Sequence, residues 1–167
     1  MFYFLQSLVV YILMLNLVSA LLKLLSFNYF IANTMKIINY KIHVSLMTIA
    51  LVIFVLFELL SSIIILSSST IYFYLIIIVI LLFIIATLSL VPSLVKKKNF
   101  NCGCYGSYIK STIDKNKVIE NFIYILILLI YLVWCEDSKI PIYIYLLSFV
   151  FLCIRILLLI KKGKKIK

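Results

Sequence analysis

Residues 71–95 read IYFYLIIIVILLFIIATLSLVPSLV, from Ile71 to Val95 without one charged group. A helix needs roughly 20 apolar residues to cross about 30 Å of hydrocarbon, and this stretch meets that length with room for tilt. Isoleucine, valine and aromatic residues are good strand formers, yet an uninterrupted apolar run lacks the in-out alternation of a membrane barrel. The stretch therefore predicts a transmembrane helix. Working outward, polar interruptions cut the chain into four further apolar segments, at about Phe2 to Leu22, Val44 to Leu66, Val118 to Cys135 and Ile142 to Ile160. Residues 1–167 thus read as a single integral membrane domain: an all-α, polytopic transmembrane helical bundle of about five spans. Ser19, Ala20, Ser61, Ser62, Ala86 and Ser89 are the small and polar residues expected to let its helices approach.

Composition agrees, since 66% of the residues are hydrophobic and the mean hydropathy of +1.28 leaves no soluble domain to account for. The first segment has no basic residue ahead of its apolar run, and it is expected to stay as an uncleaved span rather than act as a secretory signal.

The cations are placed asymmetrically. Lys23, Lys36 and Lys41 follow the first span, Lys96 to Lys117 occupy the third connection, and Lys161 to Lys167 the tail, against Lys139 alone on the other side. Positive loops are retained in the cytoplasm, so the N-terminus is expected outside, with the tail and the 96–117 loop cytoplasmic, in the cell membrane. The net charge of +11 then reads as topology and attraction to anionic lipid, each interfacial cation contributing about 1 kcal/mol, and not as nucleic-acid binding. Between the first two spans, Phe27, Phe30, Ile31, Thr34, Ile37, Ile38 and Lys41 share one helical face, which predicts a short amphipathic helix at about 27–41 lying in the interface and capped by Ser26.

One motif is not explained by packing of spans: Cys102-Gly103-Cys104-Tyr105-Gly106 in the 96–117 loop. Two thiols flanking a glycine can close a small, strained disulfide, and Gly103 reaches the necessary dihedrals most cheaply. Strained disulfides reduce easily, which suits a pair that accepts and passes on electrons. Lys96, Lys97, Lys98 and Lys110 would stabilise a thiolate. Two readings stand beside this one. The cysteines can be part of a structural turn, or they can bind zinc or copper(I), for which His43, Cys135 and Cys153 are the remaining soft ligands.

With Lys23 closing the first span ahead of Phe27 and Phe30, Glu58 inside the second, and Asn121 early in the fourth, this motif resembles that of the MauE-like, DoxX-related membrane proteins of methylamine utilisation. Their signature has phenylalanine where Tyr105 stands, and their fourth span opens with Arg-Asn where this chain has Glu120 and Asn121. The resemblance covers much of residues 17–135. It implies a DoxX-like four-helix core, here with an additional C-terminal helix, and a redox-associated role in maturing a disulfide-rich exported protein beside a thioredoxin-like partner. Under it, Cys102 and Cys104 are the redox pair, Gly103, Tyr105, Gly106 and Asn121 support the motif, and Glu58 and Lys23 are secondary candidates. Lipid bilayer, a thioredoxin-like protein and a cysteine-containing client are the expected partners. No metal is expected, and a quinone is the one cofactor considered. The rival class is a non-enzymatic membrane protein, such as a peptide-immunity or transporter-accessory subunit, with a structural cysteine turn.

The cysteine loop raises a conflict, because positive-inside counting puts it where cytoplasmic reductants keep thiols reduced. Three arrangements answer it: the pair collects reducing equivalents from a cytoplasmic thioredoxin and passes them on, with Cys135 as a relay; the loop folds back into the bundle; or the orientation is reversed. Elsewhere, Glu58 is expected to be protonated or paired, with Arg155 the partner in view unless Arg155 snorkels. Lys23 is expected to snorkel, His43 to sit at the interface, and Cys153 to behave as an inert apolar side chain.

Overall fold

A chain this apolar leaves its backbone no partner in lipid except itself, and nearly all of the described residues are helical. The computed structural model describes residues 2–38, 43–67, 73–95, 105, 107–108, 115–134 and 141–164. Among these there are six helices and no strand: α1 Phe2–Leu25, α2 Phe27–Ile38, α3 Val44–Ser67, α4 Phe73–Val95, α5 Lys115–Trp134 and α6 Ile142–Lys164. All but α2 are long and apolar enough to cross a membrane. The molecule is an all-α polytopic bundle.

Helix α1 is the hub, packed against α3 and α6 and also touching α5 and α2, while α4 bridges α3 and α5. Val9, Leu13, Ile65, Val79 and Leu128 form the main core between these helices. Large side chains such as Ile63, Leu88, Phe122 and Leu157 face outward, as expected of a surface whose solvent is lipid. Apolar burial does not drive helices together in lipid, so packing and interhelical polar contacts must do it. Asn16 Nδ2 donates to Ser62 Oγ across α1 and α3 at 3.0 Å, and Ser148 Oγ of α6 donates to the Ser7 carbonyl of α1 at 2.9 Å.

Ser19, Ala20, Ser61 and Ser62 are buried as the small-residue pattern predicts, while Ala86 and Ser89 are half-buried or nearly so. Ala20, fully enclosed, belongs to a second cluster with Phe30, Met47, Leu51 and Val55. Replacing Ala20 by leucine is expected to destabilise the bundle by ~1–3 kcal/mol through overpacking, read as a lower unfolding midpoint in detergent.

Helix α2 turns its apolar face onto α3 and α4, with Phe30 against the Ala20 cluster and Ile37 against Leu90. Lys41, placed on that face by the sequence pattern, lies outside the described residues. The expected capping role of Ser26 is not what forms. Helical hydrogen bonding runs through the bend, from Ser26 N to the Leu22 carbonyl and from Phe30 N to the Ser26 carbonyl. With the first-turn amide already supplied by backbone, the Ser26 hydroxyl donates back to Leu22 O at 2.8 Å instead.

Candidate functional site

Two charged centres lie within the helices, and the described end of the cysteine loop sits between them. The first is Lys23 with Glu58. Lys23, in the last turn of α1, places Nζ 2.8 Å from Oε1 and 2.6 Å from Oε2 of Glu58 in α3, with both side chains nearly sealed. The rings of Phe30 and Phe54 lie 5.6 and 5.3 Å from the same ammonium, adding cation–π attraction at a nearly sealed site. The turn carrying Glu58 is itself fastened: Ser62 Oγ donates to the Glu58 carbonyl at 2.8 Å, and Asn16 Nδ2 reaches that carbonyl at 3.4 Å.

The second centre is Glu120, near the start of α5. It accepts from Tyr124 Oη at 2.6 Å, pairs with Lys117 at 3.3 Å, and forms a short ion pair with Arg155 of α6. Asn121, the next residue, is buried and donates to Thr87 Oγ1 of α4 at 3.2 Å.

Tyr105 joins the two centres. It is only 3% exposed although it belongs to a loop, and Lys117 Nζ stands 5.3 Å above its ring. With Lys23, Glu58, Asn16, Asn121 and Tyr124 it lines a chamber of about 50 Å³, room enough for water. Its hydroxyl is buried and has no hydrogen-bond partner among the described residues. Burial pushes the phenol's pKa up, and the charge of Glu120 pushes it the same way, so Tyr105 stays protonated as a donor. Two residues on, Ser107 N donates to the Ser26 hydroxyl at 3.0 Å, pinning the loop to the α1–α2 bend.

A second, larger cavity of about 420 Å³ opens between α2, α3 and α4, sharing Lys23, Phe54 and Asn121 with the chamber.

The family model described as methylamine utilisation protein MauE matches residues 1–134. The chain belongs to the MauE family. No curated protein and no solved structure matches it. The match makes this a multi-pass membrane protein of a family tied by its description to methylamine utilisation. Helix α6 lies beyond the matched residues, yet it supplies the Arg155 that neutralises Glu120.

The MauE family resemblance in the sequence singled out Lys23, Glu58, Tyr105 and Asn121, and the structure brings all four to one chamber. Cys102, Gly103, Cys104, Gly106 and Cys135 lie outside the described residues. Two expectations are corrected. Arg155 pairs not with Glu58 but with Glu120 of α5. Lys23 does not snorkel, since it is 6% exposed and held inside the bundle by Glu58 and two aromatic faces. His43 is exposed and its carbonyl opens α3, and Cys153 is an exposed free thiol on α6.

Sequence reasoning missed Asn16 and Tyr124, and named Ser62 only as a packing residue. Asn16 carried a usable signal, being an amide inside an apolar span, where a polar group needs an interhelical partner. Arg155→Gln is expected to cost ~1 kcal/mol, because Lys117 and Tyr124 still satisfy Glu120, and thermal unfolding in detergent reads the difference.

Proposed function

We propose that this member of the MauE family is a membrane thiol–disulfide redox component, with Cys102 and Cys104 as the exchanging pair, supporting maturation of an exported or modified protein or peptide. The observation carrying the reading is the burial of Tyr105, covalently next to Cys104, in the chamber of the Lys23–Glu58 pair. A cysteine motif serving only as a surface turn gives its flanking tyrosine no reason to enter the bundle. The anchoring of Ser107 to Ser26 supports the same view, since it holds the described end of the motif against the bundle.

In the exchange, a thiolate of the pair attacks a sulfur of the client's or the thioredoxin-like partner's disulfide. A mixed disulfide forms, one partner thiolate leaves, and the second cysteine displaces the other while closing the Cys102–Cys104 bond. Two electrons and two protons move from the pair to the partner; maturation of a client runs the same steps in reverse. Lys117, 5.3 Å from the Tyr105 ring, puts a cation at the described end of the motif, and a cation close to a thiol favours its thiolate. The lysine pattern supports a cytoplasmic tail and loop with an outside N-terminus, and the burial of Tyr105 supports a loop that folds back from that face into the bundle.

A membrane-impermeant maleimide tests this on a variant lacking Cys135 and Cys153, in right-side-out and inverted vesicles, before and after mild reduction. Labelling only in inverted vesicles and only after reduction is the expected result. Equal labelling without reduction would mean permanently free thiols and favour a structural turn. Labelling confined to right-side-out vesicles would reverse the topology.

A further inference from the structure

The 420 Å³ cleft between α2, α3 and α4 is of ligand size and is not explained by thiol exchange itself. Its mouth faces lipid, because Ile53, Phe57 and Ile85 on its walls are exposed. Its middle is apolar and partly aromatic, with Phe30 and Phe54 flanking the Lys23 ammonium. Its inner end is polar: Lys23 keeps a third N–H beyond the two given to Glu58, and Asn121 keeps a second amide proton beyond the one given to Thr87. Two buried donors at the end of an aromatic slot complement the carbonyl oxygen of a flat ring. A lipid acyl chain would leave both donors against methylene groups, a cost it cannot recover.

We infer that this cleft binds the head group of a lipid-soluble quinone, one ring carbonyl against Lys23 and Asn121 and the isoprenoid tail leaving past Ile53 and Ile85 into the bilayer. The inference rests on the redox reading for its purpose, and the chemistry balances. Oxidation of the Cys102 and Cys104 thiols breaks two S–H bonds and makes one S–S bond. The two electrons and two protons reduce the quinone to a quinol, forming two O–H bonds. The chamber beneath Tyr105 shares Lys23 and Asn121 with the cleft, so the loop side and the carbonyl side meet at the same two residues.

Full-length protein in quinone-free phosphatidylcholine nanodiscs, exposed to an azido-ring ubiquinone analogue with a decyl tail and illuminated, tests the site. Crosslinks are expected in α2, α3 and α4 around Phe30 and Phe54, suppressed by excess decylubiquinone but not by excess decylbenzene. Ala50→Trp and Ile85→Trp, which obstruct the cleft from opposite walls, are expected to lower crosslinking about tenfold or more at unchanged unfolding midpoint. Competition by decylbenzene as effective as by the quinone would show an acyl-chain slot only and overturn the proposal, as would full crosslinking in a folded cleft-filling variant. The Cys102→Ser, Cys104→Ser variant is expected to crosslink like wild type while making no quinol. Crosslinking with no quinol from the reduced wild type would keep the site but overturn the quinone as acceptor of the thiols' electrons, whereas thiol exchange without cleft crosslinking would sink the site alone.

Discussion

Lys23→Met is expected to destabilise the protein by about 3–5 kcal/mol, the cost of leaving a buried carboxylate without its counter-charge. Glu58 has no second cation within salt-bridge distance among the described residues, and its side chain is sealed from outside. Glu58→Gln is expected to fall in the same direction, since the ammonium is then stranded. The double variant Lys23→Met, Glu58→Gln is expected to recover most of the loss, because removing both charges also removes the desolvation they required. Unfolding midpoints of the four proteins in detergent form a double-mutant cycle. Additive losses would show that the two side chains act independently and that the pair is not what holds α1 to α3. The double variant serves a second purpose when thiol exchange is measured on it. Recovered stability with slow exchange assigns the pair to the chemistry of the loop; recovery of both assigns it to architecture.

Replacing Cys102 and Cys104 together by serine is expected to bring disulfide exchange down to the uncatalysed background while insertion and the unfolding midpoint stay as in the wild type. Neither side chain is needed to cross the bilayer, and serine cannot form the sulfur–sulfur bond on which exchange depends. The single variants are more informative about order. Whichever cysteine makes the first attack, the variant lacking the other is expected to accumulate a mixed disulfide with its partner, visible on a non-reducing gel. Normal exchange in the double serine variant would end the redox reading. A large fall in folding yield would show instead that the motif is a structural turn.

Much of the site was legible before any coordinates. Lys23, Glu58, Tyr105 and Asn121 stood out through the resemblance to the MauE-like motif, and Glu58 also because a carboxylate inside a span is costly unless it is paired or protonated. Their partners were another matter. Glu58 and Arg155 looked complementary as the ionisable groups well inside two spans, but opposite charges seek the nearest partner in space. Arg155 meets Glu120 of α5, and Glu58 meets a lysine from the end of α1. Ser26 illustrates the same limit locally. A serine before an amphipathic stretch reads as a cap, yet α1 hydrogen bonding continues through the bend and frees its hydroxyl to hold Ser107.

Residue pattern alone set the solvent, the helical class and the five runs long and apolar enough to cross. Lipid offers backbone groups no hydrogen bonds, so apolar runs of sufficient length have one outcome whatever they pack against. Which helix is central, which charges pair, and that Tyr105 turns inward came from the packing of the helices. Those outcomes depend on distances between residues far apart in the chain, 35 positions for Lys23 with Glu58 and 81 for Ser26 with Ser107. No local pattern encodes such distances, because each is set by how whole helices pack.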